Sequence, residues 1–234
     1  MPSAAPHETT TLRQSLTGEL ARNVIVSDTC RCVYVSTPKV ASSSVKLALL
    51  RAERELSEVS ERKIHDMARR HFKRPAREIA EILRDDRYYR FCIVRHPVDR
   101  FVSGFRNKLK RRDYRAEVLR QLGETKDRPV SIEEFVDVVT QQPDAERNRH
   151  WRSQTGLLHP GLFNYHTVAK IERLSEDWSG IADRLGLPCS LPRVNASGGK
   201  AKAVTISPRL RDRIAQIYQE DMTAFGYDLA DASY

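Results

Sequence analysis

The sequence predicts an α/β protein built on a central, mostly parallel sheet flanked by helices. Three β-rich runs carry that reading: CVYVS (32–36), FCIV (91–94) and YHTVAKIE (165–172), separated by stretches of helical spacing. Strands that alternate with helices favour parallel pairing. Two of the runs also pass through a short turn straight into a helix, and open sheets of this kind take ligands beyond the carboxyl ends of their strands.

The elements follow in order. CVYVS stops at Thr37-Pro38, where proline removes a backbone donor. From Ser44 the pattern turns helical, with Val45, Leu49, Ala52 and Leu56 on one face. After FCIV, Pro97 suits the first position of a helix that carries Val98, Phe101, Val102, Phe105 and Leu109 at spacings of three and four. SIEEF (131–135) has the serine-to-glutamate spacing of a capping box. SEDWSGIADRLG (175–186) reads as a capped helix that ends at glycine. The stretch 191–206, with Gly198-Gly199 before Lys200 and Lys202, has loop chemistry. A last helix from Ser207-Pro208 turns Leu210, Ile214, Ile217 and Phe225 inward. The predicted organisation is an N-terminal extension over 1–25 and a single domain over 26–234.

Composition narrows the function classes. No run approaches the roughly 18 to 20 apolar residues of a membrane span, and MPSAAPHETTTLRQ lacks the pattern of a signal peptide. Cys30, Cys32, Cys92 and Cys189 are too few and too irregular for a disulfide framework or a metal pair, so they read as thiols of a reducing compartment. The formal charge is +9, from 40 basic and 31 acidic residues. Such a balance suits anionic partners without choosing among them. The basic stretches 62–74 and 106–115 read first as solvated helix faces. With no zinc-finger spacing, repeat or aromatic RNA-binding signature, a nucleic-acid partner is not expected.

The segment VYVSTPKVASSSVK (33–46) sets Lys39 and three serines, Ser42, Ser43 and Ser44, at a strand-to-helix turn. Such a turn points main-chain N–H groups and the positive end of the helix dipole at whatever sits before it, which suits a phosphate or a sulfate. The ATP-binding form, G-x-x-x-x-G-K-[ST], has glycines and a lysine after the loop, whereas here the glycines are missing and the lysine precedes the serines. A serine-capped helix behind a proline turn gives the same pattern with no ligand. A nucleotide kinase and a non-catalytic binder of anions or nucleic acid therefore stay open as alternatives.

The second turn, VRHPVDRFVSGFRNK (94–108), puts Arg95 at a strand end and Ser103 two helical turns on. Together with TPKVASSSVK it resembles the paired cofactor motifs of the carbohydrate sulfotransferase family that includes the chondroitin 4-O-sulfotransferases. RHWRSQTGLLHPGLFNYHTVAKIERL (149–174) resembles that family's H-W stretch and following strand, and IYQEDMTAFGYDL (217–229) its C-terminal helix. The resemblance implies a P-loop-like sulfotransferase fold, with 3′-phosphoadenosine-5′-phosphosulfate as donor, the corresponding 3′,5′-bisphosphate as product and no metal. It assigns the 5′-phosphosulfate to Lys39, Ala41, Ser42, Ser43, Ser44 and Lys46, with Lys39 at the bridging oxygen. The 3′-phosphate falls to Arg95 and Ser103, and Lys200 closes over the cofactor. The acceptor implied is a hydroxylated molecule, a carbohydrate, and the basic stretches would suit an anionic one.

The chemistry also calls for a base, and a histidine suits one near neutrality. The resemblance points to His65, thirty residues before Arg95, with His71 and His150 as the other candidates. Several positions depart from the family pattern. Leu158 and Gly161 stand where two cysteines are usual, His96 where an acid often follows the arginine, and Val45 where a tryptophan often stands. The missing cysteines and anchor imply a soluble protein of a bacterial cytoplasm.

Overall fold

A computed structural model describes residues 19–56, 59–192, 194 and 205–233. The described chain groups into two compact units, the first drawn from Met1–Thr37, Ala41–Val94 and Leu158–Gly198, the second from Pro38–Val40, Arg95–Leu157 and Gly199–Tyr234.

The first unit holds a four-stranded sheet in the order β1 (Val24–Ser27), β2 (Cys32–Val35), β3 (Tyr89–Val94), β4 (Thr167–Lys170). β1 pairs antiparallel with β2, while β2, β3 and β4 run parallel. The mostly parallel sheet is thus present. β1 was not among the expected strands, because NVIVS lies just before a tight turn and is too short to show a period. β4 is shorter than the run 165–172 suggested, since Ile171–Arg173 turns into a 3-10 helix. Every residue of β1 and β2 is buried, and Tyr34 stacks on Phe91 at 5.0 Å across the parallel pair. Burial on both faces is what a parallel sheet covered by helices requires, and it explains why these strands read as unbroken apolar runs.

The helix after β2 spans Ser42–Glu53, so it starts two residues before Ser44 and ends before Leu56. Its buried residues, from Ser43 to Leu50, lie on more than one face, and Ala52 is exposed. The basic stretch 62–74 becomes the Glu61–Phe72 helix, with Ile64, Ala68 and Phe72 buried at four-residue spacing and Arg62, Lys63, Arg69 and Arg70 exposed. Its bulk is therefore the solvated face expected of a charge run. Helix Leu174–Leu185 ends at Gly186, whose φ of 66° suits glycine, but Ser175 lies inside it and does not cap it.

The second unit packs three amphipathic helices, Pro97–Lys108, Ile132–Gln141 and Pro208–Ile217, around Phe101, Phe135, Trp151 and Tyr218. Phe101 stacks on Phe135 at 4.9 Å, and Phe135 meets Trp151 edge-on at 5.2 Å. The capping box is formed: Ser131 Oγ accepts from the Glu134 N–H at 3.1 Å, and Glu134 Oε2 accepts from the Ser131 N–H at 2.8 Å. Ser207 caps the last long helix by accepting from the Leu210 N–H, and Leu210 and Ile214 are buried as expected. The chain breaks at Tyr218, so Phe225 follows a second short helix, Gln219–Ala224.

The two kinds of contact differ in energy. Phe135→Ala should cost about 3–5 kcal/mol by opening a core cavity, whereas Ser131→Ala should cost about 1 kcal/mol by removing a cap. Urea unfolding of both variants checks the ranking, and equal shifts would contradict this account of the core.

Candidate active site

In the first unit, the turn after β2 and the Glu61–Phe72 helix meet at one imidazole. His65 Nε2 lies 3.1 Å from Ser43 Oγ, and His65 Nδ1 lies 3.2 Å from Lys46 Nζ. A protonated lysine can only donate. The Nδ1 lone pair therefore accepts from Lys46, which leaves the ring proton on Nε2, directed at the Ser43 hydroxyl. Of the first-unit histidines, the structure brings His65 to the serine loop. His71 lies 3.6 Å from Glu53, at the other end of the Ser42–Glu53 helix. Ten residues of helix separate Ser43 from Glu53, or about 15 Å. His71 thus serves the far end of the helix, where Glu53 also accepts from Ser27 and Thr29 at 2.6 and 2.7 Å.

The turn itself is strained in an informative way. Lys39 and Ala41 have φ of 74° and 60°, a left-handed conformation for residues other than glycine. Each costs on the order of 1 kcal/mol. Alternating left- and right-handed residues gather successive N–H groups into an anion-binding concavity. No acidic residue occupies the first turn of the helix that follows, and Ser43 and Ser44 are buried there. Ser42 and Ala41 are half-buried.

In the second unit, Arg95 is half-buried and the five residues after it, 96–100, are all buried. Ser103 is also half-buried, as are Lys39, Arg106, Lys108 and Arg149, an unusual concentration of cations out of full solvent. Arg100, 2% exposed, does something different from Arg95. Its guanidinium donates to three main-chain carbonyls, from Pro38 at 3.2 Å, Arg152 at 2.7 Å and Arg149 at 3.1 Å. It thereby ties the first motif's Pro38 to the H-W stretch. The sequence put Arg100 inside a motif but could not show that its donors are spent on carbonyls.

His150 sits in the same unit against that positive charge. Burial, reinforced by Lys108, Arg149, Arg100 and Lys39, holds its pKa down to about 2. Its Nδ1 is buried without a hydrogen-bond partner. An imidazole so reluctant to take a proton is a poor base. His96, at the position that departs from the family pattern, is fully buried, and its Nε2 lies 2.9 Å from the carbonyl of Asp228. Leu158 is buried and Gly161 exposed at the two positions where cysteines are usual. All four cysteines are free, Cys189 alone being exposed. Lys200 and Lys202 lie outside the described residues. Among the described residues no helix is long and apolar enough to cross a membrane.

Comparisons with known proteins bear on the whole arrangement. A family model described as the sulfotransferase family matches residues 22–228. Carbohydrate sulfotransferase 14 of Danio rerio is 31% identical over 198 residues, covering 78% of this chain and 53% of its own length. The human protein of that name is 27% identical over 72% of this chain. Carbohydrate sulfotransferase 11 of Mus musculus is 25% identical over 93% of this chain and 70% of its own length. The chain spans about half the length of the first of these relatives (53%). No solved structure matches it.

The depressed pKa of His150 sets a pH dependence with a definite sign. Above about pH 6.5 the imidazole is neutral in folded and unfolded chains alike; below it only the unfolded chain takes the proton, so stability falls as pH drops toward the folded value of about 2. The slope contributed is at most about 1.4 kcal/mol per pH unit. Urea midpoints measured from about pH 7.5 down to about pH 5 should fall for the wild type and fall less for His150→Asn. Parallel curves would remove His150 as the cause.

Proposed function

The chain belongs to the sulfotransferase family, and from that membership we propose that it transfers a sulfuryl group from 3′-phosphoadenosine-5′-phosphosulfate to a carbohydrate hydroxyl, releasing the 3′,5′-bisphosphate. The names of the relatives support a carbohydrate acceptor. The observation that carries the reading is the placement of His65 between Ser43 and Lys46, in the first turns of the helix that follows a left-handed, proline-led turn.

These residues fit a phosphosulfate. The left-handed turn at Lys39 and Ala41, the helix N-terminus without an acid and the hydroxyls of Ser42, Ser43 and Ser44 form an electropositive, hydrogen-bonding surface. Lys39 and Lys46 are assigned to the 5′ end, and Arg95 and Ser103 to the 3′-phosphate, where a planar guanidinium can bind two oxygens at once. When bound, the donor supplies an activated sulfuryl group with a phosphate as its leaving group.

The proton chemistry is written in the chain's own atoms. While Lys46 donates to Nδ1, His65 has no lone pair to offer. An ammonium that turns to an anion instead frees that lone pair, and Nδ1 can then take the proton of an acceptor hydroxyl. Lys46 would in this way couple occupancy of the anion site to the activity of the base. As in phosphoryl transfer, positioning and electrostatic stabilisation dominate, and the protein forms no covalent bond.

Two measurements test the assignment. Calorimetric titration should show that 3′-phosphoadenosine-5′-phosphate binds tightly while ATP with magnesium does not, and that Arg95→Ala abolishes most of the difference; preference for ATP would defeat the proposal. His65→Ala should keep affinity for the bisphosphate within about threefold and lower kcat by about 10²–10⁴-fold, the usual worth of a general base. An unchanged kcat would remove His65 from the reaction.

A further inference from the structure

The C-terminal motif 217–229 and residue 154 take no part in the chemistry above, yet both converge on Arg95. Gln154 is fully buried, and its side-chain amide brackets the main chain of Arg95: Oε1 accepts from the Arg95 N–H at 2.9 Å, and Nε2 donates to the Arg95 carbonyl at 2.8 Å. Both polar groups of one peptide residue are thus satisfied by a single side chain, just past the end of β3. Gln154 is itself fixed from behind. The carboxylate of Asp221, also fully buried, accepts from the Gln154 N–H at 2.7 Å and from the Thr155 N–H at 2.8 Å.

The C-terminal segment also holds the residue after Arg95. His96 Nε2 meets the Asp228 carbonyl at 2.9 Å, and the His96 ring lies edge-on to Tyr227 at 5.2 Å. Further along, Asp99 accepts from the Ser233 N–H at 3.0 Å. We infer that Gln154, anchored by Asp221, is a positioning residue that fixes the main chain of Arg95 so that its guanidinium is presented to the donor's phosphate in one orientation. This rests on the assignment of Arg95 to the donor.

A long, flexible side chain such as arginine binds an anion well only if its root is fixed, because each free rotor must otherwise be ordered at the moment of binding. Arg95 is half-buried between buried Val94 and buried His96, and its anion binding gains from rigidity at its own peptide. Gln154 supplies it through a donor and an acceptor held at fixed separation, which few other side chains can copy. Glutamate at this position has the same shape but cannot donate to the Arg95 carbonyl. Alanine removes both bonds.

The test is a double-mutant cycle on the full chain, read by calorimetric titration with 3′-phosphoadenosine-5′-phosphate and by thermal midpoints. Gln154→Ala and Gln154→Glu should each weaken binding about tenfold, the worth of one to two hydrogen bonds transmitted to the ligand. In an Arg95→Ala background the same substitutions should change affinity by less than about twofold, because the group they act through is gone. Additive losses in the double variant would overturn the inference, as would unchanged affinity in Gln154→Ala with a lowered thermal midpoint, which would mark the amide as packing alone. Should Gln154→Ala fail to fold, the isosteric Gln154→Glu carries the cycle. If Arg95→Ala by itself leaves the affinity intact, the donor assignment fails first, and that result is distinct from additivity.

Discussion

The second unit depends on how one buried guanidinium is satisfied. Arg100 carries a positive charge at 2% exposure, and an uncompensated charge there would cost several kcal/mol. Three carbonyls, contributed by Pro38, Arg149 and Arg152, meet that demand, and the buried carboxylate of Asp221 adds an opposing charge in its field. Meeting it forces three separated segments of chain into one geometry: the residues before the serine loop, the H-W stretch and the helix that follows β3. The half-buried cations around them then sit on a frame that cannot readily relax away from one another. His150 stays neutral there because it is buried, and a proton added to it would also face Lys108, Arg149, Arg100 and Lys39.

The first unit meets a different demand. β1 and β2 of its sheet are buried throughout, and a sheet of this kind offers ligands the ends of its strands. There Ala41 is left-handed just before the helix that carries Ser43 and Lys46, and both side chains meet His65. Strain of this kind persists only where surrounding structure imposes it. Here the buried helix Ser42–Glu53 on one side and the fully buried strand β2 on the other leave the turn little alternative. The imidazole joins the helix that follows β2 to a second helix.

Much of this was legible beforehand because the two turns are local. Lys39, the serines, Arg95 and Ser103 each lie within a few residues of a strand end, so a short window contains both the structural signal and the chemical one. The capping box at Ser131 and the proline at position 97 could be read for the same reason. Failures came where the signal was not local. The strand β1 and the early end of β4 carry no local signal because short segments take their conformation from their neighbours in the sheet, and the stretch 175–186 does not show that its helix begins at Leu174 without a side-chain cap. A clue to Asp221 was present in the sequence: it is an acid four residues from both Ile217 and Phe225, on a face that otherwise packs inward. Its partners, at 154 and 155, lie 67 and 66 residues away.

By itself, then, the sequence determined the α/β class, the strand-to-helix turns and the cationic and hydroxyl groups assembled at them, since periodicity, turn chemistry and motif spacing act over a few residues. Tertiary structure decided what surrounds each of the three candidate histidines. His65 was set against Ser43 and Lys46, His71 against Glu53 at the far end of a helix, and His150 where burial first and neighbouring cations second hold its pKa down. Only the fold could also give Gln154 and Asp221 their places. Hydrogen bonding and burial depend on which atoms lie within about 3 Å of each other, and that distance is set by packing across the whole chain.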